Sequence, residues 1–186
     1  MSTVVAPPQA PPETPSDLKV LWTRLALFLA VVGVLGSLHL SLSMELKACP
    51  LCYYQRAFMM VTAGILAIGM FLPGMPLAGQ TVLALIPAFA GGSMAAFHTY
   101  LELNGTLECP KGITGFLVAP QESLIIFTLI LAALLGDLFH RGVYVMQGVG
   151  AMLLGLVFCI SCVRSVADGL PQSAEEGCRK TAAAKK

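Results

Sequence analysis

Five long apolar runs dominate this sequence and restrict what the chain can fold into. They lie at about 20–42, 53–72, 80–101, 123–139 and 142–163. Because an α-helix rises about 1.5 Å per residue, runs of this length match the roughly 30 Å hydrocarbon core of a bilayer. A helix satisfies its backbone hydrogen bonds internally, as a segment in lipid must. The sequence therefore predicts an all-α integral membrane protein with five transmembrane helices.

The composition agrees with a membrane location and argues against nucleic acid as a partner. Hydrophobic residues make up 56% of the chain and charged residues 11%, and the mean hydropathy is +0.80. Soluble domains carry about 25% charged residues. The formal net charge is only +1, and no basic stripe is present. We therefore expect the lipid bilayer, and no nucleic acid, among the partners of the chain.

The apolar runs divide the chain into four parts. Residues 1–17 are rich in proline and poor in apolar bulk, which is typical of a disordered tail. We expect a four-helix membrane domain over residues 18–141 and a further transmembrane helix over residues 142–164. Residues 165–186 are predicted to form a flexible polar tail.

A short motif, CPLCYYQR at residues 49–56, stands where the second apolar run begins. Proline is well tolerated at the first position of a helix, so Cys49 is predicted to be the N-cap and Cys52 to lie in the first turn. Unpaired backbone N–H groups and the helix dipole favour a thiolate there. Arg56 adds a permanent positive charge one turn later. The motif therefore predicts a redox site at the edge of a membrane helix.

Five crossings place the cysteines outside the helices in one compartment. The motif, the polar loop at 102–120 and the C-terminal tail fall on the same side, which brings together Cys49, Cys52, Cys109 and Cys178. More Lys and Arg residues lie on this side than on the other, which by itself favours a cytoplasmic assignment. We place this side outside the cytoplasm, because stable disulfide chemistry belongs there.

The octapeptide at 49–56 resembles the signature of DsbB, the bacterial disulfide bond formation protein B family. The resemblance extends over roughly residues 20–140, with four helices, a first outward loop ending in CxxC and a second outward loop containing cysteine. It implies a multi-pass enzyme of the bacterial inner membrane whose redox loops face the periplasm. Such an enzyme reoxidises a thioredoxin-fold oxidase, DsbA, and passes the electrons to ubiquinone or menaquinone, which supports disulfide formation in exported proteins.

The resemblance also implies roles for individual residues. Cys49 and Cys52 would form the quinone-coupled disulfide, and Arg56 would bind the quinone. His98 falls in the region that lines the quinone site. Gln55 would bind a quinone carbonyl or a neighbouring helix, and the sequence leaves both open. No residue is assigned to a metal.

Two features depart from the family pattern. The second loop usually holds two cysteines, whereas this one holds only Cys109, and we expect Cys178 in the tail to supply its partner. The fifth helix is also additional, and it carries a second CxxC at Cys159 and Cys162. These two thiols lie within an apolar run, so we expect them to be packing residues, with a second redox pair as the alternative.

Two other functions remain open from the residues alone. The first is a small membrane protein that binds or transports a thiophilic metal, for which Met59 and Met60 give slight support. The second is a quinone-linked disulfide reductase, in which electrons flow in the opposite direction. The sequence does not fix that direction.

Overall fold

The computed structural model of the protein describes residues 17–43, 49–71, 77–141, 145–166 and 179–180. Within these residues there are five helices long and apolar enough to cross a membrane. This confirms the predicted all-α membrane fold. The helices are α1 (Asp17–Leu42), α2 (Pro50–Phe71), α3 (Leu77–Leu103), α4 (Ala119–Arg141) and α5 (Val145–Val166).

Helix α3 lies at the centre of the bundle and contacts α2, α4 and α5, while α1 packs against α2 and α4. In the most apolar 18-residue stretch of α3, 61% of the residues are buried, against at most 28% in the corresponding stretches of the other helices. Small residues make this position possible, since they let membrane helices approach closely. A Cβ atom on Gly91 would clash with the ring of Phe127 on α4.

The additional helix α5 is packed into the bundle. A Cβ atom on Gly155 would lie 2.6 Å from the backbone oxygen of Ile86 and 3.2 Å from the backbone nitrogen of Ala90, both on α3. Near the C-terminal end of α5, the hydroxyl groups of Tyr54 and Ser165 are 3.2 Å apart and link α2 to α5. The fifth helix therefore completes the packing around α3.

Polar groups fix the end of the bundle that lies away from Cys49. The carboxylate of Asp137, which is fully buried, accepts hydrogen bonds from the Thr81 hydroxyl at 2.5 Å and from Nε of Arg141 at 2.7 Å. The second of these is an ion pair between residues one helical turn apart. Trp22 stacks on His140 beside it, with the ring centroids 5.9 Å apart. This cluster ties α1, α3 and α4 together.

The loop between α3 and α4 is shorter and more ordered than the sequence indicated. Helix α4 begins at Ala119, four residues before the predicted run, because Glu122 in its first turn binds the loop. The Glu122 carboxylate accepts the backbone N–H groups of Ile113 at 2.8 Å and Thr114 at 2.9 Å. An isolated bridge between Lys111 and Val118 closes the same loop. The loop is thereby held against the start of α4.

Two short strands were not predicted. Strand β1 (Leu107–Glu108) pairs with β2 (Arg179–Lys180) in an antiparallel arrangement, which joins the second loop to the C-terminal tail. Asp17, at the end of the predicted N-terminal tail, is already part of α1. The rest of that tail, and the C-terminal tail apart from α5 and β2, lies outside the described residues.

Candidate redox site

Cys49 caps the N-terminus of α2, as the sequence predicted. Its backbone oxygen accepts the N–H of Tyr53 at 3.0 Å, which is the first hydrogen bond of the helix. Its sulfur accepts the N–H of Cys52 at 3.4 Å, which satisfies one of the donors that every helix start leaves unpaired. Pro50 at the first helical position has no N–H to satisfy. The motif thus brings both sulfurs together at the N-terminus of α2.

The two thiols of the motif are adjacent and reduced. The Sγ atoms of Cys49 and Cys52 are 3.2 Å apart, and both residues are free cysteines. The pKa of Cys49 is lowered from 9.0 to about 4, chiefly by the hydrogen bond with the Cys52 side chain. Burial opposes this shift, while His98 and the backbone N–H of Cys52 add to it. These neighbours of Cys49 therefore keep it as a thiolate at neutral pH.

His98 on α3 lies among three sulfur atoms. Its ring is fully buried, and Nε2 is 3.9 Å from Sγ of Cys49 and 3.3 Å from Sγ of Cys109. On the other edge of the ring, Nδ1 is 4.0 Å from Sγ of Cys52 and 3.1 Å from Nε2 of Gln55. One imidazole thus reaches both the CxxC pair and the cysteine of the second loop. It can accept or return a proton on either side.

Arg56 is held by the first helix. Its Nε donates to the Ser37 hydroxyl at 2.9 Å, and Nη2 donates to the Ser37 carbonyl at 2.9 Å and to the Ser41 hydroxyl at 2.5 Å. The guanidinium carbon also lies 5.8 Å from the ring centroid of Tyr53. No carboxylate pairs with Arg56 among the residues that the structure describes. Within the described ranges, the cation is therefore fixed in place and has no carboxylate to neutralise it.

An apolar cavity of about 360 Å³ opens beside the thiol pair. It lies between α1, α2, the start of α4 and the second loop, and its lining includes Cys49, Cys52, Gln55 and Arg56. Cavities of this size, mainly apolar with a few polar groups, are typical of sites for small organic ligands. A ligand here would contact the sulfurs and the guanidinium at once.

The structure brings together most of the residues that the motif and the resemblance singled out. His98 contacts the sulfurs and is not among the residues that line the cavity, and its predicted place in a quinone site stays a prediction. Cys109 is disulfide-bonded. Cys178, the predicted partner, lies outside the described residues.

Sequence reasoning missed the two serines that hold Arg56. Serine is unremarkable in an apolar run, so Ser37 and Ser41 gave no signal individually. Their spacing of four residues places them on one face of α1, and this spacing is the signal that could have found them.

The second CxxC is close to the first in space. Cys159 is buried, Cys162 is half-buried, and both are free. They share one apolar cluster with Cys49, Cys52 and Cys109. Neither sulfur is hydrogen-bonded to His98 in the described part of the chain. The packing role assigned to them remains a prediction.

Fold and site together define a multi-pass helical membrane protein with a reactive thiol pair, the architecture of a membrane thiol–disulfide oxidoreductase. Comparison with known proteins identifies the family. The model of the family described as "Disulfide bond formation protein DsbB" matches residues 19–121, so the chain belongs to the DsbB family. That segment runs from α1 to the first turn of α4.

The chain is also similar to a curated bacterial protein. It is 30% identical over 119 residues to the SPbeta prophage-derived disulfide bond formation protein B of Bacillus subtilis (strain 168). The alignment covers 57% of this chain and 78% of that protein. No solved structure matches the chain. Family membership makes the protein a disulfide oxidoreductase of a generally quinone-linked family.

Proposed function

We propose that the protein reoxidises a DsbA-like, thioredoxin-fold oxidase of the periplasm and passes the electrons to a membrane quinone. The observation that carries this proposal is that Cys49, Cys52 and Arg56 line one apolar cavity. Partners of the DsbA type are strong oxidants, at about −120 mV, so their reoxidation needs a still stronger electron acceptor. Quinone dissolved in the bilayer is such an acceptor, and the cavity lies between membrane-spanning helices.

The residues of the cavity fit a quinone. Its apolar walls suit the ring, and its volume of about 360 Å³ suits one head group. Nε and Nη2 of Arg56 are bound to α1, so Nη1, which has no partner among the described residues, is the group left to donate to a ring oxygen. When bound, a quinone accepts two electrons and two protons. The part of this chain is to hold the ring beside Cys52 and to keep water away.

We further propose that Cys178 is the partner of Cys109. Four of the six cysteines, at 49, 52, 159 and 162, are free, and Cys109 is disulfide-bonded. Glu108 pairs with Arg179 across the two short strands. If this antiparallel register continued by one residue, position 178 would face Cys109, and this supports the proposed disulfide between the second loop and the tail.

Thiol–disulfide exchange then connects the substrate protein to the CxxC pair. A thiolate of the reduced partner attacks the disulfide of Cys109, and a second attack from the partner releases the oxidised partner and leaves two thiols here. In the next exchange these thiols reduce the Cys49–Cys52 disulfide and become a disulfide again. His98 lies within 3.3 Å of Cys109 and 3.9 Å of Cys49, so it can take a proton from the attacking thiol and return it to the departing one.

The test is a turnover assay with the full-length protein in detergent. Reduced DsbA-like protein and a soluble quinone analogue are supplied, and quinone reduction is followed by absorbance. We expect Cys49→Ser and Cys52→Ser to abolish turnover and Cys109→Ser to block the protein substrate. The matched control is the Cys159→Ser/Cys162→Ser double variant, which removes the other CxxC and should keep normal turnover.

Two results would contradict the proposal. Normal turnover in Cys49→Ser or Cys52→Ser would remove the thiol pair from the reaction. Reduction of an oxidised partner by quinol at a rate above the forward rate would favour the disulfide reductase instead.

A further inference from the structure

The reduced CxxC pair and His98 have the arrangement of a metal site. The two Sγ atoms and an imidazole nitrogen all lie within 4.8 Å of one another, and this is the one such group among the residues that the structure describes. We propose that the reduced form of the site binds a thiophilic divalent cation, with zinc as the reference ion, and that the bound cation blocks reoxidation. This inference concerns regulation of the proposed redox site and therefore rests on the proposed function.

The distances suit zinc. With Zn–S bonds of about 2.3 Å and Zn–N bonds of about 2.0 Å, tetrahedral coordination places two sulfurs roughly 3.8 Å apart and a sulfur and a nitrogen roughly 3.5 Å apart. The observed separations are 3.2 Å between the sulfurs and 3.9 Å from Sγ of Cys49 to Nε2, the imidazole nitrogen that would bind the metal. Each differs from the ideal value by well under 1 Å, which side-chain rotation supplies.

The surroundings of the imidazole favour a ligand role. Gln55, buried against the ring, contacts Nδ1 of His98 at 3.1 Å. If the amide oxygen of Gln55 accepts an N–H at Nδ1, the lone pair of the ring lies on Nε2, the nitrogen that contacts Cys49. Metal-bound histidines commonly have such a partner on the second nitrogen, because it fixes the tautomer and the ring orientation.

The site can also balance the charge of a divalent cation and complete its four-coordinate shell. Two thiolates neutralise a divalent cation, and binding releases any proton that the two sulfurs still carry. Arg56, the nearby cation, is tied to the serines of α1. Sγ of Cys109 lies 3.3 Å from Nε2 of His98, so once its disulfide is reduced Cys109 can supply a fourth ligand. Without it, the fourth position is left to water.

Such binding would act selectively on one redox state. A disulfide offers no thiolate, so the cation binds only after Cys49 and Cys52 have received their two electrons. By linkage, each tenfold excess of free cation over its Kd raises the reduction potential of the pair by about 30 mV. The cation would therefore trap the reduced enzyme and slow electron transfer out of it.

The experiment uses the full chain in detergent, without quinone and without partner protein. The protein is reduced with a phosphine, titrated with zinc chloride against a colorimetric chelator, and titrated separately with cobalt chloride for thiolate charge-transfer absorption. We expect one cation per reduced chain and none per oxidised chain. Cys49→Ser, Cys52→Ser and His98→Ala should each weaken binding by about tenfold or more.

The matched control is again Cys159→Ser/Cys162→Ser, which removes two thiols of the same spacing to which the described part of the structure shows no bonded histidine. It should bind zinc as the unmodified chain does. The inference is overturned if the reduced chain binds no zinc, if oxidised protein binds equally well, or if the control loses binding while the three site variants keep it. Because this titration does not depend on turnover, active protein that binds no zinc refutes the metal site alone. Inactive protein that binds zinc refutes only the proposed enzyme.

Discussion

Replacing Cys52 with alanine removes the contact that does most to ionise Cys49. In the reduced protein the hydrogen bond with the Cys52 side chain is the largest influence on the Cys49 pKa, ahead of burial and of His98. The shift is downward, to about 4. Cys49 is therefore a thiolate above that pH and becomes a thiol as the pH falls through it.

The expected size of the effect follows from these values. At pH 6, a thiol with a pKa of about 4 is about 99% ionised, whereas one with a pKa of 9.0 is about 0.1% ionised. Cys52→Ala should move the midpoint upward by well over one pH unit. His98→Ala should move it in the same direction by less, because His98 contributes less to lowering the pKa.

The assay is the ultraviolet absorbance of the thiolate in reduced protein between pH 3 and pH 7. Tyrosine does not ionise in this range, so a rise in absorbance reports a thiolate. Circular dichroism at each pH checks that the helices persist. The Cys159→Ser/Cys162→Ser variant should reproduce the unmodified curve. If no thiolate forms below pH 7, or if Cys52→Ala leaves the midpoint unchanged, the account of Cys49 is wrong.

Two further predictions concern the packing around the site. The double variant Ser37→Ala/Ser41→Ala removes two of the three hydrogen bonds that hold Arg56 to α1 and should raise the KM for quinone by about tenfold, at about 1.4 kcal/mol for the lost hydrogen bonds. The KM for the partner protein is the internal control, and an unchanged quinone KM would show that the serines do not position Arg56. Gly155→Leu should lower the thermal unfolding midpoint in detergent, at a cost of about 1–3 kcal/mol, because its side chain would meet the α3 backbone. Gly150→Leu, where a Cβ meets nothing within 4 Å, should not lower it, and equal losses in both variants would contradict close α3–α5 packing.

The fold could be predicted from the sequence because lipid leaves few alternatives. Apolar runs of this length must be helical in a bilayer, since their backbone groups have no other partners there. The N-cap at Cys49 was also predictable, because Pro50 after it fixes where the helix begins. The start of α4 was misplaced because the capping by Glu122 uses residues about eight positions earlier in the loop.

The parts of the site that depend on helix packing could not be predicted. His98 is 46 residues from Cys52 in sequence, and only the contact between α2 and α3 brings its ring to the sulfurs. The link from Arg56 to α1 depends in the same way on how α1 packs against α2. The pairing of β1 with β2 joins segments more than 70 residues apart, and two-residue strands leave no periodic signal.

The thiol pair has two different sides, and this asymmetry matters for the proposed reaction. On one side the buried ring of His98 contacts Cys49 and Cys52 and reaches the sulfur of Cys109. On the other side lies the apolar cavity with Arg56, to which His98 does not contribute. Exchange with a second disulfide needs a group that moves protons, whereas a site for a lipid-soluble acceptor needs apolar walls and a fixed positive charge. Because the two requirements are met by different groups around the same sulfurs, a substitution in one group should affect mainly one half of the reaction. His98→Ala should slow exchange with the protein substrate, and Arg56→Ala should weaken quinone binding.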